Sequence, residues 1–192
     1  MKKKILLPAF IIMALLQLYV PAKMISGKEN VLAEGNEFMF KTAPIDPSDP
    51  FRGKYIVLSF EENTAQVANA EDWNSGDPVY VSLTKNEEGF AKILTISKDE
   101  PLETPDYVKA NIQYTVSDSI SHIMVEYPFD RYYMEESKAP QAEIAYNESA
   151  RDSTQITYAL VSVKNGDAVL QGVFINGVPI REIILSETEG EN

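Results

Sequence analysis

The stretch QITYALVSVKNGDAVLQGVFINGVPIREII, residues 155–184, decides the fold class of this chain. It contains three runs rich in apolar and β-branched residues: Gln155–Val163, Ala168–Asn176 and Val178–Ile184. The pairs Asn165-Gly166 and Asn176-Gly177 separate these runs. Asn-Gly between alternating hydrophobic runs is the strongest short-range hairpin signal, because both central residues of a type I′ turn need positive φ. We therefore predict three consecutive antiparallel strands in this stretch.

The same kind of pattern continues toward the N-terminus. Segments with period-two alternation, or rich in β-branched and aromatic residues, are predicted as strands: Glu37–Ala43, Lys54–Glu61, Pro78–Thr84, Gly89–Ser97, Tyr107–Ser117 and His122–Tyr127. Two segments rich in helix formers are predicted as helices: Thr64–Trp73, and Glu135–Ala150 despite Pro140 near its start. Many strands with one or two helices predict an α+β domain with mainly antiparallel pairing.

The first 22 residues differ from the rest of the chain. Three lysines follow Met1, and residues 5–22 then form an uncharged run, which as a helix would be about 27 Å long. A transmembrane or signal helix is the expected structure, with the lysines on the cytoplasmic side. We predict an anchor over residues 1–22, a linker or short helix over 23–36, and an extracytoplasmic, mainly β domain over 37–192.

Two fates of the N-terminal segment are compatible with these residues. Val20-Pro21-Ala22 resembles a small-residue cleavage site, and cleavage after Ala22 would give a secreted or periplasmic protein. Without cleavage the protein would be a single-pass protein of the cell membrane, and the helix would be its only contact with the membrane.

The composition excludes several classes of function. Three of the 17 basic residues lie in residues 1–22, which hold no acidic residue, so residues 23–192 carry a formal charge of −15. Such a surface repels phosphate backbones, which excludes nucleic acid as a partner. The chain has no cysteine and a single histidine, His122, so thiolate and multi-histidine metal sites are excluded and no cofactor is expected.

The segment PIDPSDPFRGKYIVLSF, residues 44–60, has an unusual density of residues that restrict the backbone. Its prolines occur at every third position: Pro44, Pro47 and Pro50. Asp46 and Asp49 can accept backbone N–H groups in turns, and Gly53 is expected to take positive φ or to let another backbone approach. Arg52 is placed to pair with a carboxylate. A calcium site is the alternative, but the spacing does not match a calcium loop, so a structural ion pair is favoured.

Residues 53–60, GKYIVLSF, resemble the motif of the GDYXXLXY family of bacterial membrane-associated proteins. Gly53, Tyr55 and Leu58 match that motif, whereas Lys54 replaces its Asp and Phe60 its final Tyr. A second stretch, Arg131-Tyr132-Tyr133-Met134-Glu135-Glu136, is similar to a later aromatic and acidic part of the family. The resemblance implies an N-terminal membrane anchor and an extracytoplasmic domain, and it favours the uncleaved form. The family implies no established activity.

Three functional hypotheses follow. A non-catalytic binding or accessory module for another envelope component, such as an integral membrane protein, is favoured because the sequence contains no nucleophile elbow and no phosphate-binding glycine loop. A membrane-bound hydrolase would need a Ser–Lys or carboxylate pair, and Ser97-Lys98 and Ser137-Lys138 are only sequence neighbours. A small-ligand or carbohydrate binder would use Trp73, Tyr132 and Tyr133 side by side.

Overall fold

The computed structural model describes residues 3–44, 55–117 and 120–190. Its helices are α1 (Lys3–Glu34), α2 (Ala139–Arg151) and α3 (Ile180–Gly190). Its strands are β1 (Asn36–Ala43), β2 (Tyr55–Val57), β3 (Ser59–Phe60), β4 (Thr64–Gln66), β5 (Pro78–Lys85), β6 (Ala91–Ser97), β7 (Tyr107–Val116), β8 (His122–Glu126), β9 (Arg131–Tyr133), β10 (Thr157–Lys164), β11 (Asp167–Ile175) and β12 (Val178–Pro179).

The strands form two five-stranded sheets and one two-stranded ribbon within the described residues. The first sheet has the order β12-β11-β10-β1-β3, the second has the order β4-β8-β7-β5-β6, and the ribbon is β2-β9. The neighbouring strands in all three pair antiparallel. The predicted α+β, mainly antiparallel fold is therefore confirmed.

The two Asn-Gly pairs form the predicted hairpin turns. Asn165 and Gly166 have φ of 49° and 85°, and Asn176 and Gly177 have φ of 52° and 83°. The first of these turns also joins the two sheets: Gly166 N–H donates to Tyr107 O at 3.0 Å, and Lys109 N–H donates to Gly166 O at 3.0 Å. The turn that the sequence predicts locally thus also fixes the long-range packing.

An aromatic cluster fills the centre of the core. Its rings, with centroids between 5.0 and 5.9 Å apart, are Phe40, Phe60, Tyr127 and Phe129. All four side chains are buried. Each aromatic pair contributes about 0.5–1.5 kcal/mol beyond the area it buries. The cluster joins β1, β3 and the segment between β8 and β9.

Helices α2 and α3 pack against each other beside the first sheet. The buried residues of α2 recur at helical spacing: Ala139, Ala142, Tyr146 and Ser149. Burial raises the pKa of Tyr146 to about 12. Its hydroxyl lies near Thr42 and the backbone of Ser59 but has no well-formed hydrogen bond.

Helix α1 continues without a break through the predicted boundary at residue 22 and ends at Glu34. Residues 23–34, predicted as a short helix or linker, are thus the C-terminal part of this long helix. Leu7–Glu34 is long and apolar enough to cross a membrane, and the domain does not cover its apolar part. The end of α1 is docked: Val31 is buried, Lys28 Nζ lies 3.0 Å from Asp167 Oδ1, and Lys164 pairs with Glu34.

The predicted helix Thr64–Trp73 was wrong. Thr64–Gln66 is strand β4, which pairs with β8, and Ala70–Asp72 is a single 3-10 turn. Asn69 caps that turn, because its Oδ1 accepts the Glu71 N–H at 3.2 Å. The local helix propensity is overridden because the backbone pairs with a strand distant in sequence.

The third C-terminal strand was also largely wrong. Only Val178–Pro179 pairs with β11, and α3 begins at Ile180. Ile180 and Ile184 are both buried, and a spacing of four residues places them on one face of a helix. The β-branched residues of this stretch are compatible with both a strand and a helix, so composition alone did not distinguish between them.

Candidate functional site

The two stretches that carry the family resemblance pair with each other. Strand β2 pairs with β9 in the register Tyr55↔Tyr133, Ile56↔Tyr132, Val57↔Arg131. The predicted single strand Lys54–Glu61 is divided at Leu58, whose N–H donates to Asp130 O at 2.7 Å before β3 joins β1. Seventy-odd residues of sequence separate the two stretches, yet together they form one ribbon.

Alternation along the ribbon separates an inner from an outer set of side chains. The buried inner set is Ile56, Leu58, Phe60 and Tyr132. The outer set, at the odd-numbered positions, is Tyr55, Val57, Arg131 and Tyr133. The period of two in a strand explains this division. The predicted site residues Leu58 and Tyr132 are therefore core residues, and Tyr132 and Tyr133 lie on opposite faces.

The outer face carries a compact cluster of Tyr55, Arg131 and Tyr133, which we call the Tyr–Arg face. The two tyrosine ring centroids are 5.3 Å apart, and Arg131 Cζ lies 5.4 Å from the centroid of Tyr55. Tyr133 is 60% exposed. The pKa of Arg131 is raised above its usual value. The largest cause is a hydrogen bond with the Tyr133 hydroxyl, and the second is the negative charge of the Asp130 carboxylate. The guanidinium is therefore a fixed positive charge held against the Tyr55 ring.

A groove of about 740 Å³ opens beside the Tyr–Arg face. On one side it is lined by Val57 and Asp130 of the ribbon region, and on the other by Tyr114, Met124 and Glu126 of the second sheet. Tyr114 is 44% exposed. The Tyr–Arg face and this groove together offer both aromatic and polar contacts to a ligand.

The inner side of the ribbon is held by a contact that the sequence does not indicate. Arg181 Cζ of α3 lies 5.2 Å from the ring centroid of Tyr132. Burial raises the pKa of Tyr132. Beside it, Glu135 forms an exposed ion pair with Lys138 at 3.0 Å. Glu135 was predicted as a site residue, and the structure places it in this local pair at the start of α2. Arg181 could not be found by local pattern, because it lies about fifty residues beyond its partner.

The predicted residues Asp46, Asp49, Arg52 and Gly53 lie outside the described residues. The ion pair expected for Asp46, Asp49 and Arg52 and the backbone role expected for Gly53 stay predictions.

The described residues show no hydrogen-bonded Ser–Lys pair at Ser97-Lys98. Ser97 Oγ donates to Asp99 O at 2.6 Å, and Lys98 Nζ donates to Asp72 O at 2.5 Å. Lys98 also lies over the ring of Trp73, 5.1 Å from its centroid. No group of three or more His, Asp or Glu residues with metal-binding geometry occurs in the described part of the chain.

Trp73, which the sequence offered as a candidate, and His122, the single histidine of the chain, each have a structural partner. Trp73 contacts Lys98 and not the ribbon, so it does not stand side by side with Tyr132 and Tyr133. His122 Nδ1 lies 3.1 Å from Ile120 O, while Ile123 and Val125 are buried on the opposite face of β8.

The sequence of this chain matches a known protein family. A family model described as GDYXXLXY protein matches residues 17–173, most of the 192-residue chain. The chain belongs to the GDYXXLXY family. The match includes both paired stretches, so in this GDYXXLXY protein residues 55–57 of the motif form one strand of the ribbon. No curated protein and no solved structure matches the chain.

Proposed function

We propose that this protein is a membrane-anchored, non-catalytic module that binds another envelope component, an integral membrane protein, through the Tyr–Arg face. The observation that carries the proposal is the exposed cluster of Tyr55, Arg131 and Tyr133 on a ribbon with a buried inner side. Tyrosine and arginine are enriched among residues that dominate binding energy at protein interfaces. Strand pairing and the Arg181–Tyr132 contact hold the cluster in place, which lowers the entropy cost of binding.

The exposure of the apolar part of α1 supports the proposed membrane anchor. Its apolar part is exposed around the whole circumference, which suits lipid or other transmembrane helices and not the core of its own domain. Residues 23–34 continue the helix for about 18 Å and dock on β10 and β11. A partner in the same membrane would therefore meet the domain at a restricted distance and orientation, which raises its effective concentration.

The charge of the domain supports a protein partner and not a lipid surface. Residues 23–192 carry a formal charge of −15, which repels anionic headgroups. The same field steers partners with basic extracytoplasmic surfaces toward the domain and makes their association rate depend on salt.

The test begins with extraction of the full-length protein from its native membrane in a mild detergent, affinity isolation and mass spectrometry. A co-purifying integral membrane protein is then purified and its affinity for the full-length chain is measured in nanodiscs. We expect Tyr133→Ala and Arg131→Ala each to weaken that affinity by about 2 kcal/mol, roughly thirtyfold, as hot-spot residues do.

The matched control is Leu102→Ala, at a 97% exposed apolar side chain in the loop between β6 and β7. It should leave the affinity unchanged. If no membrane protein co-purifies, or if Tyr133→Ala and Arg131→Ala both bind the partner as tightly as the wild type, the proposed role of the Tyr–Arg face is wrong.

A further inference from the structure

A small cavity lies where the end of β9 meets the helices α2 and α3. Its volume is about 240 Å³, and its lining consists of Met134, Glu135, Lys138, Arg181, Ile184 and Leu185. We call it the Arg181 cavity. It shares no residue with the Tyr–Arg face, which is formed by the outward side chains of the ribbon.

The Arg181 cavity places a cation and an apolar surface on the same helix. Ile184 and Leu185 follow Arg181 by three and four residues, so the three side chains lie on one side of α3. Ile184 is buried, Met134 of the opposite wall packs against the core, and Leu185 is exposed at the mouth. A ligand in the cavity therefore meets apolar side chains beside a guanidinium.

The lining carries one positive charge that it does not neutralise itself. Glu135 and Lys138 pair with each other at 3.0 Å, so their charges cancel. Arg181 forms no ion pair within the described part of the chain, and its Cζ lies 5.2 Å from the ring centroid of Tyr132. The ring orients the guanidinium without neutralising it, and N–H donors are left for a ligand.

The volume and the charge of the cavity limit what it can hold. A cavity of about 150 Å³ holds a benzene molecule, so about 240 Å³ holds roughly ten non-hydrogen atoms. One unpaired cation matches one negative charge, whereas a doubly charged anion would bring a second charge without a partner. A carboxylate suits a guanidinium best, because the two groups form parallel N–H···O bonds.

We propose that the Arg181 cavity binds a small monocarboxylate whose apolar chain brings it to about the size of octanoate. The carboxylate pairs with Arg181, and the chain lies against Met134, Ile184 and Leu185. The ligand is thus a free alkyl carboxylate. The site is separate from the Tyr–Arg face and does not depend on the function proposed above.

The test uses the full-length chain in lipid nanodiscs, with isotope-labelled methionine methyl groups observed by NMR. Octanoate is titrated at neutral pH, and equilibrium dialysis gives its free concentration, because part of it enters the bilayer. The methyl signal of Met134, assigned with Met134→Leu, should shift and saturate. The signals of Met39 in β1 and Met124 in β8 should stay in place, because neither residue lines the cavity.

A series of alkyl carboxylates from butanoate upward measures the size of the site in the wild-type chain, so that the result does not depend on the folding of a variant. Each added methylene should raise the affinity roughly threefold to fourfold until the cavity is full, at about octanoate. Longer chains should bring no further gain. Uptake by the nanodisc lipid alone would continue to increase with chain length.

Arg181→Gln separates the charge from the packing. It should weaken binding of octanoate about tenfold and leave binding of the uncharged octanamide within about twofold of the wild type. A variant that only disrupted the cavity would lose both ligands. The matched control is Arg151→Gln, because Arg151 is exposed at the other end of α2, about 18 Å along the helix from Ala139. It should bind octanoate like the wild type.

Three outcomes would overturn the proposal: no saturable shift confined to Met134, an affinity that keeps rising well beyond octanoate, or an Arg181→Gln variant that binds octanoate as tightly as the wild type or loses both ligands equally. Tyr133→Ala should leave octanoate binding unchanged. Failure of this site and failure of the Tyr–Arg face are therefore separate results.

Discussion

Replacing Gly35 by alanine should release α1 from the β domain. A Cβ at this position would lie 2.4 Å from Val31 O and 3.0 Å from Val163 O, both backbone atoms. A carbon and an oxygen normally approach to about 3.3 Å or more, so one of the two backbones must move by about 1 Å. No side-chain rotation can relieve this contact, because Val31 O belongs to the helix and Val163 O to β10.

The size of the penalty decides which part of the structure responds. Overpacking costs about 1–3 kcal/mol, and loss of the 2.9 Å hydrogen bond from Gly35 N–H to Val31 O adds about 1 kcal/mol. The contacts that dock the helix end are of similar size: burial of Val31 contributes about 1.5–3 kcal/mol, and the exposed Lys28–Asp167 pair contributes less than about 1 kcal/mol. Because these values nearly cancel, the helix end should detach in a substantial fraction of the molecules while the β domain stays folded.

The assay is hydrogen exchange by mass spectrometry on the full-length chain in nanodiscs. Gly35→Ala should accelerate exchange of the amides in residues 29–35 and leave the strands of the first sheet protected. Gly27→Ala is the matched control, since its Cβ would meet nothing within 4 Å on the same helix. It should be neutral or stabilise the helix by up to about 1 kcal/mol. Equal exchange in the wild type and in Gly35→Ala would refute the reasoning.

Two further substitutions test the packing of the domain. Gly166→Ala should destabilise the full-length protein by about 1–3 kcal/mol more than Gly177→Ala, as measured by chemical denaturation. Both glycines have positive φ, but only at Gly166 would a Cβ meet another group, 2.8 Å from the Tyr107 ring. Equal losses of stability would mean that the contact between the sheets is unimportant. Tyr146→Phe should change the free energy of unfolding by less than about 1 kcal/mol at pH 7, because the buried hydroxyl has no well-formed hydrogen bond to lose. Burial raises the pKa of Tyr146 to about 12, so this tyrosine ionises at lower pH in the unfolded chain than in the folded protein. The free energy of unfolding should therefore fall as the pH rises from about 10 toward 12. That fall should be smaller in Tyr146→Phe, and an unchanged pH dependence would contradict the raised pKa of Tyr146.

The fold class was predictable from local pattern because each signal lies within a few residues. The Asn-Gly pairs require positive φ whatever surrounds them, and both turns are present. The failures share a different cause. Thr64–Gln66 is a strand only because β8 provides its hydrogen-bond partners, and Ile180–Ile184 is helical because α2 covers one face of it.

Sequence resemblance selected Tyr55, Leu58 and residues 131–135, and the structure shows that the two stretches are neighbouring strands. The resemblance did not indicate that Tyr132 is a core residue beneath Arg181 while Tyr133 is exposed. A shift of one residue in register decides which face of a strand a side chain lies on.

The sequence by itself determined the acidic surface, the long apolar N-terminal segment, the family and the antiparallel hairpins, because charge, hydropathy and turn geometry are properties of short stretches of chain. Only the tertiary structure decided that residues 55–57 of the family motif pair with residues 131–133 in a ribbon with one exposed aromatic face, and that the end of α1 docks against β10 and β11. These features depend on contacts between residues far apart in the chain, whose energy arises from packing and backbone pairing and not from local propensity.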